Sequence, residues 1–142
     1  GLLFARFLAL SGVSGAIQSV LVDGGFSVWT VVAMVTVIYL VLGMLMDAPS
    51  LLAISLPITH PVMMSLGFDP LWFGVYVIVL AEIGAITPPV GINCFVVKGA
   101  AGNLVTLEEI FGALTPFLIA SFIMLAIMLL FPQIALYLPS LM

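Results

Sequence analysis

Residues 82 to 93 read Glu82-Ile83-Gly84-Ala85-Ile86-Thr87-Pro88-Pro89-Val90-Gly91-Ile92-Asn93 and stand in the middle of an apolar segment. Two consecutive prolines delete two backbone donors and sterically reject the carbonyls four residues earlier, those of Gly84 and Ala85. Unpaired carbonyls in hydrocarbon cost several kcal/mol each, so such a break persists only where protein, water or an ion satisfies them. The half-helix before the break presents its negative dipole end there, and the half-helix after it presents its positive end. The first end suits a cation and the second an anion. That is the pattern of a discontinuous transport helix. A single proline reads more readily as a kink repaired by neighbouring helices; Thr-Pro-Pro followed by Gly and Asn favours the break.

Outward from the break, Asp69-Pro70 starts the upstream half: the carboxylate caps free amides, and proline takes the first turn where its missing N–H costs nothing. Downstream, the segment runs from Val90 to about Lys98, and the whole discontinuous helix is expected over 70–101, broken at 87–89. After the loop at 99–103, Thr106-Leu107-Glu108-Glu109 fits a capping box. It opens a last span through 110–131 that Pro132 ends, and 106–142 forms that span and its tail. Upstream, residues 28–66 form two apolar arms joined at Asp47-Ala48-Pro49-Ser50, the second arm carrying Pro57, His60 and Pro61. Residues 1–27 form a first span rich in small and polar residues, suited to close packing in a bundle, and a turn at Asp23-Gly24-Gly25.

Composition agrees with a bilayer as the solvent. Of 142 residues, 65% are hydrophobic and 6% charged, against about 25% charged in an ordinary soluble domain. Eight charged side chains cannot cover a water-soluble globule of this size. At roughly 20 residues per span, the chain holds about five apolar segments. Two cations, Arg6 and Lys98, exclude a nucleic-acid surface. The lone Cys94 excludes a disulfide framework and a cysteine metal site. A chain beginning with Gly and lacking a visible signal peptide reads as a fragment. The arms joined at Asp47 return to their starting side whether they cross or turn back midway, so Arg6 and Lys98 share a side, which the positive-inside rule makes cytoplasmic.

Two acids stand out from those in turns and caps. Asp47 is either a loop acid between two full spans, which length favours, or the tip of a re-entrant hairpin, which the unequal arms and the Pro57, His60 and Pro61 of the second favour, and the residues leave the two even. Glu82 lies less than two turns before the break, and reads as a proton or ion ligand or as a buried carboxyl bonded to an adjacent helix. His60 has no second ligand at metal spacing and suits a carbonyl freed by the nearby prolines. No nucleophile and base pair or phosphate loop appears, which argues against an enzyme.

The runs LGMLMDAPSLLAISLPITHPVMMSLGFDPLWFGV (42–75), EIGAITPPVGINCFVVKG (82–99) and FPQIALYLP (131–139) resemble the C-terminal part of the large membrane subunit of the TRAP transporters, the tripartite ATP-independent periplasmic carriers. The likeness runs from about Val28 onward, and Gly-x-x-Thr-Pro-Pro-Val-Gly with the upstream Gly-Phe-Asp-Pro turn is its specific part. It implies an all-α polytopic protein of the bacterial inner membrane. This chain would be one inverted-repeat half of a sodium-coupled elevator transporter, with 28–66 as a re-entrant hairpin whose tip is near 47–50. It implies a small membrane subunit, a periplasmic solute-binding protein and an organic acid as solute, such as a C4-dicarboxylate or a sugar acid. By the same likeness, Na+ would be held around Gly43, Gly84, Thr87 and Val90, and the solute would lie near Asp47, Ala48, Pro49 and Asn93. Leu80 departs from the Asn that many members carry, which removes support for a polar contact there. The alternative is a non-transporting membrane scaffold whose segments are all full spans.

Overall fold

A computed structural model describes residues 3, 6, 7, 10–137 and 141. The remaining positions of the expected first span (1, 2, 4, 5, 8, 9) and of the tail (138–140, 142) lie outside the described residues. Among those described, every regular element is helical.

Helix α1 (Val13–Asp23) begins behind Gly12, whose φ of 75° only glycine adopts without strain, so the expected first segment is divided there. Helix α2 (Val28–Leu45) is capped by Ser27, which accepts from the Thr30 N–H at 3.2 Å. It buries Val31, Val32, Val35, Tyr39 and Gly43, a stripe at three- and four-residue spacing. Asp47 then caps helix α3 (Ala48–Ser65) by accepting from the Ser50 N–H at 3.1 Å. Pro57 and Pro61 lie inside α3 without ending it. The hydroxyls of Ser55 and Thr59 donate back to the Leu51 and Ser55 carbonyls at 2.7 and 2.9 Å along its buried face. Gly67 closes α3 with φ 86°: its N–H donates to Met64 O, and the Phe68 N–H reaches Met63 O, the two-bond stop that a left-handed residue permits.

Helix α4 (Pro70–Ile86) is the hub. It buries Trp72, Phe73, Tyr76, Val77, Leu80, Ala81, Ile83, Gly84 and Ala85, and packs against α2, α3, helix α5 (Ile92–Ala101), helix α6 (Leu107–Leu130) and the short helix α7 (Gln133–Leu136). Phe68, Trp72 and Tyr76 stack with centroids 5.1 and 4.8 Å apart, and the Trp72 indole donates to Met128 O of α6 at 3.2 Å. Asp69 starts α4 by accepting from the Leu71 and Trp72 N–H groups at 2.8 and 3.2 Å. Asp69→Ala is expected to cost about 1 kcal/mol and Asp69→Asn only a fraction of that; thermal unfolding of the purified permease in detergent checks the ranking.

Helix α6 carries the capping box of Thr106 and Glu109, with both halves of the exchange present. It buries Leu125 and Met128 but exposes Phe117, Ile119, Phe122, Ile123, Ile127 and Leu130. Among the described residues, only α2 and α6 are both long and apolar enough to cross a membrane. At about 1.5 Å per residue, the 24 residues of α6 reach about 36 Å, whereas the 17 of α4 reach about 26 Å, short of a hydrocarbon core of about 30 Å.

Candidate functional site

Helices α2 and α4 run parallel. Thr36 meets Tyr76, with their hydroxyl oxygens 2.6 Å apart, and seven or eight residues further along Gly43 meets Gly84. The two C-terminal ends, each carrying the negative pole of a helix dipole, therefore arrive at the same level. At the crossing the backbones touch. A Cβ on Gly84 would stand 2.8 Å from Gly43 Cα and 3.0 Å from Leu40 O; one on Gly43 would stand 3.1 Å from Gly84 Cα and 3.2 Å from Ala81 O. Each glycine thus turns a Cα–H toward a carbonyl of the opposite helix, the reciprocal weak contact that close crossings use.

Three residues on from Gly84, α4 stops. The Thr87 hydroxyl donates to Ile83 O at 2.5 Å, and the Thr87 N–H donates to Gly84 O at 3.0 Å. Here the structure corrects the expectation from proline geometry. The Gly84 carbonyl does lose its partner four residues on, but the last turn tightens and supplies a donor three residues on. Pro88 and Pro89 follow, and Gly91, buried with φ 53°, turns the chain into α5. A Cβ there would meet Phe111 of α6 at 3.1 Å and Thr87 O at 3.2 Å, so the chain folds back tightly on itself. The Cys94 thiol, at the start of α5, lies 3.8 Å from Ile86 O as a weak donor. Ile86 is the last residue of α4, so its carbonyl is one of the end carbonyls that the helix no longer pairs.

The residues singled out for an ion are distributed as follows. Gly43 and Gly84 are in contact, Thr87 is bonded to Gly84 O, and Val90 is half-buried in the connection to α5. Of those singled out for a solute, Asp47, Ala48 and Pro49 form the turn between α2 and α3, one turn beyond Gly43. Asn93 is exposed on the first turn of α5. Among the described residues, no hydrogen bond joins Asn93 to that turn. Glu82 is exposed, not buried against a neighbouring helix, and His60 is exposed with its ring 6.2 Å from that of Phe73. Sequence reasoning missed the carbonyls of Leu40 and Ala81 at the crossing, and Gly91 as the hinge of the break. The small pair Ala81-x-x-Gly84 was the available signal for the former.

The family profile described as "Tripartite ATP-independent periplasmic transporter, DctM component" matches residues 1–134. The chain is 34% identical to the C4-dicarboxylate TRAP transporter large permease protein DctM of Pseudomonas aeruginosa, over 98% of this chain and 32% of that protein. It is 34% identical to the sialic acid TRAP transporter permease protein SiaT of Haemophilus influenzae, over 98% of this chain and 22% of that one. It is 37% identical to the isethionate TRAP transporter permease protein DctMQ of Oleidesulfovibrio alaskensis, over 70% of this chain and 15% of that one. The chain thus spans about a third of the P. aeruginosa relative and less of the other two. With an all-helical fold, apolar faces left open and a profile match along nearly its whole length, the chain belongs to the DctM component family of the tripartite ATP-independent periplasmic transporters.

Proposed function

We propose that this chain forms the C-terminal part of the membrane permease subunit of a sodium-coupled secondary transporter that imports an organic acid. The observation that carries the proposal is the Gly43–Gly84 crossing, where two parallel helices bring their C-terminal ends together beside a backbone break. Two negative helix poles and a concentration of carbonyls favour a small hard cation, for which oxygen ligands suffice and charged side chains are unnecessary. In this reading Gly43, Gly84, Thr87 and Val90 hold Na+, the coupling ion and itself a transported substrate. The turn at Asp47, Ala48 and Pro49, with Asn93 across the break, faces the solute.

Helices α2 and α3 then form a re-entrant hairpin, and α4 and α5 a discontinuous helix, within an elevator-type carrier of the bacterial inner membrane. The relatives are named for C4-dicarboxylate, sialic acid and isethionate. All three are organic anions, which supports an acidic solute for this chain without choosing among them. Family membership further supports a small membrane subunit and a periplasmic solute-binding protein as partners. The full ion and solute site needs the inverted partner repeat, so residues 1–142 alone are not expected to transport.

Sodium is expected to stabilise the full-length permease. At about a hundred times its Kd, an ion that binds only the folded state adds about 2.7 kcal/mol, read as a rise in melting temperature in NaCl over KCl at equal ionic strength. Identical melting in the two salts, with uptake independent of sodium, would sink the proposal and favour the scaffold reading.

A further inference from the structure

Below the glycine crossing, the core of α2, α3 and α4 contains two tyrosine and threonine pairs that the proposed ion site does not use. Tyr39 and Tyr76 are both 0% exposed. Thr36 spends its single hydroxyl proton on Val32 O at 2.7 Å, so in the 2.6 Å contact between Thr36 and Tyr76 it is the Tyr76 hydroxyl that donates. Thr59 likewise donates to Ser55 O, so Tyr39 donates to Thr59 across 2.9 Å. The first pair joins α2 to α4 and the second joins α2 to α3. Each is a directional bond in a mainly apolar interface, with buried Ser55 beside the second.

The crossing itself lacks such a bond. Its glycines have no side chains to interdigitate, and weak Cα–H contacts alone do not oppose sliding of one smooth backbone along another. Cation ligands must nonetheless be placed to within about 0.2 Å. Thr36 lies seven residues before Gly43, and Tyr76 eight before Gly84, so the bond between them sits roughly 11 Å down the shared axis, on rigid helix. We infer that Thr36 and Tyr76 are positioning residues for the ion site, the Tyr76-to-Thr36 hydrogen bond setting the axial register in which the carbonyls of α2 and α4 converge. The inference rests on the sodium reading of that site.

The donor assignment makes the test asymmetric. Tyr76→Phe leaves Thr36 satisfied by Val32 O, whereas Thr36→Val leaves a buried tyrosine hydroxyl without its acceptor, the costlier of the two losses. In the full-length permease reconstituted with its partner subunit and binding protein, Tyr76→Phe is expected to raise the half-saturating Na+ concentration about fivefold, the scale of one net hydrogen bond. The maximal uptake rate at saturating Na+ and the half-saturating solute concentration stay unchanged. Thr36→Val raises the Na+ requirement further, the double variant returns to the Tyr76→Phe value, and Thr36→Ser behaves as the parent. Thr115→Val, which removes a hydroxyl bonded only within α6, is the control. If uptake by the parent depends on Na+ but neither Tyr76→Phe nor Thr36→Val shifts that dependence, or if they lower only the maximal rate, the positioning role is overturned while the sodium reading stands. Uptake by the parent that ignores Na+ overturns the sodium reading itself.

Discussion

Gly84→Val is expected to abolish the proposed sodium-dependent uptake by the full-length permease and to lower its melting temperature by more than any other single change at the site. The first atom added would lie 2.8 Å from Gly43 Cα, 2.9 Å from Gly43 C and 3.0 Å from Leu40 O. All three are backbone atoms that cannot swing aside. Overpacking in a core costs about 1–3 kcal/mol where side chains can yield. Here two helices must separate, so even Gly84→Ala is expected at the top of that range, with uptake reduced about tenfold or more. Gly43→Ala meets contacts of 3.1 and 3.2 Å and is expected to be milder. Gly74→Ala is the control within α4: no neighbouring heavy atom lies within 4 Å of its added carbon, and the exchange gains helix propensity of up to about 1 kcal/mol. Normal uptake by Gly84→Val would show that the crossing is not the ion site.

Ser50→Cys, in a full-length permease whose Cys94 has been replaced by Ala, is expected to react with a membrane-impermeant maleimide added from the periplasmic side, and to be protected by solute. That result places the α2–α3 turn in the transport pathway. Labelling only from the cytoplasmic side would instead make both arms full spans, as a scaffold requires. The effect is nearly all-or-none because the reagent does not cross the bilayer. Ser50 is half-buried in the first turn of α3, with its N–H on the Asp47 carboxylate.

What could be read from the sequence divides along a physical line. The end of α4 at Ile86 follows from Pro88 and Pro89, and the starts of α4 and α6 follow from Asp69 and from Thr106 with Glu109, because capping and proline sterics act within a few residues. Pro57 and Pro61 show the limit of the same reasoning: they sit inside α3, which packs against α1 and α4, without ending it. The Gly43–Gly84 contact joins residues 41 apart in sequence, and nothing in hydropathy or spacing pairs them; only the family resemblance had placed both at one site. The tyrosine pairs were invisible for a related reason. Tyr39 and Tyr76 read as apolar core, and which hydroxyl each one meets depends on the parallel register of α2 and α4.

The stack of Phe68, Trp72 and Tyr76 has an optical consequence. The 142-residue sequence holds two tryptophans, Trp72 at 2% exposure with its indole N–H on Met128 O and Trp29 at 63% on the surface of α2. The two indoles sit in different surroundings, Trp72 inside the helical core and Trp29 on the outer face of α2. Trp72 emission therefore reports on one hydrogen bond across the α4–α6 contact. With Trp29 and every tryptophan outside residues 1–142 replaced by Phe, loosening of α6 from the α4 hub is expected to register as a change in Trp72 fluorescence.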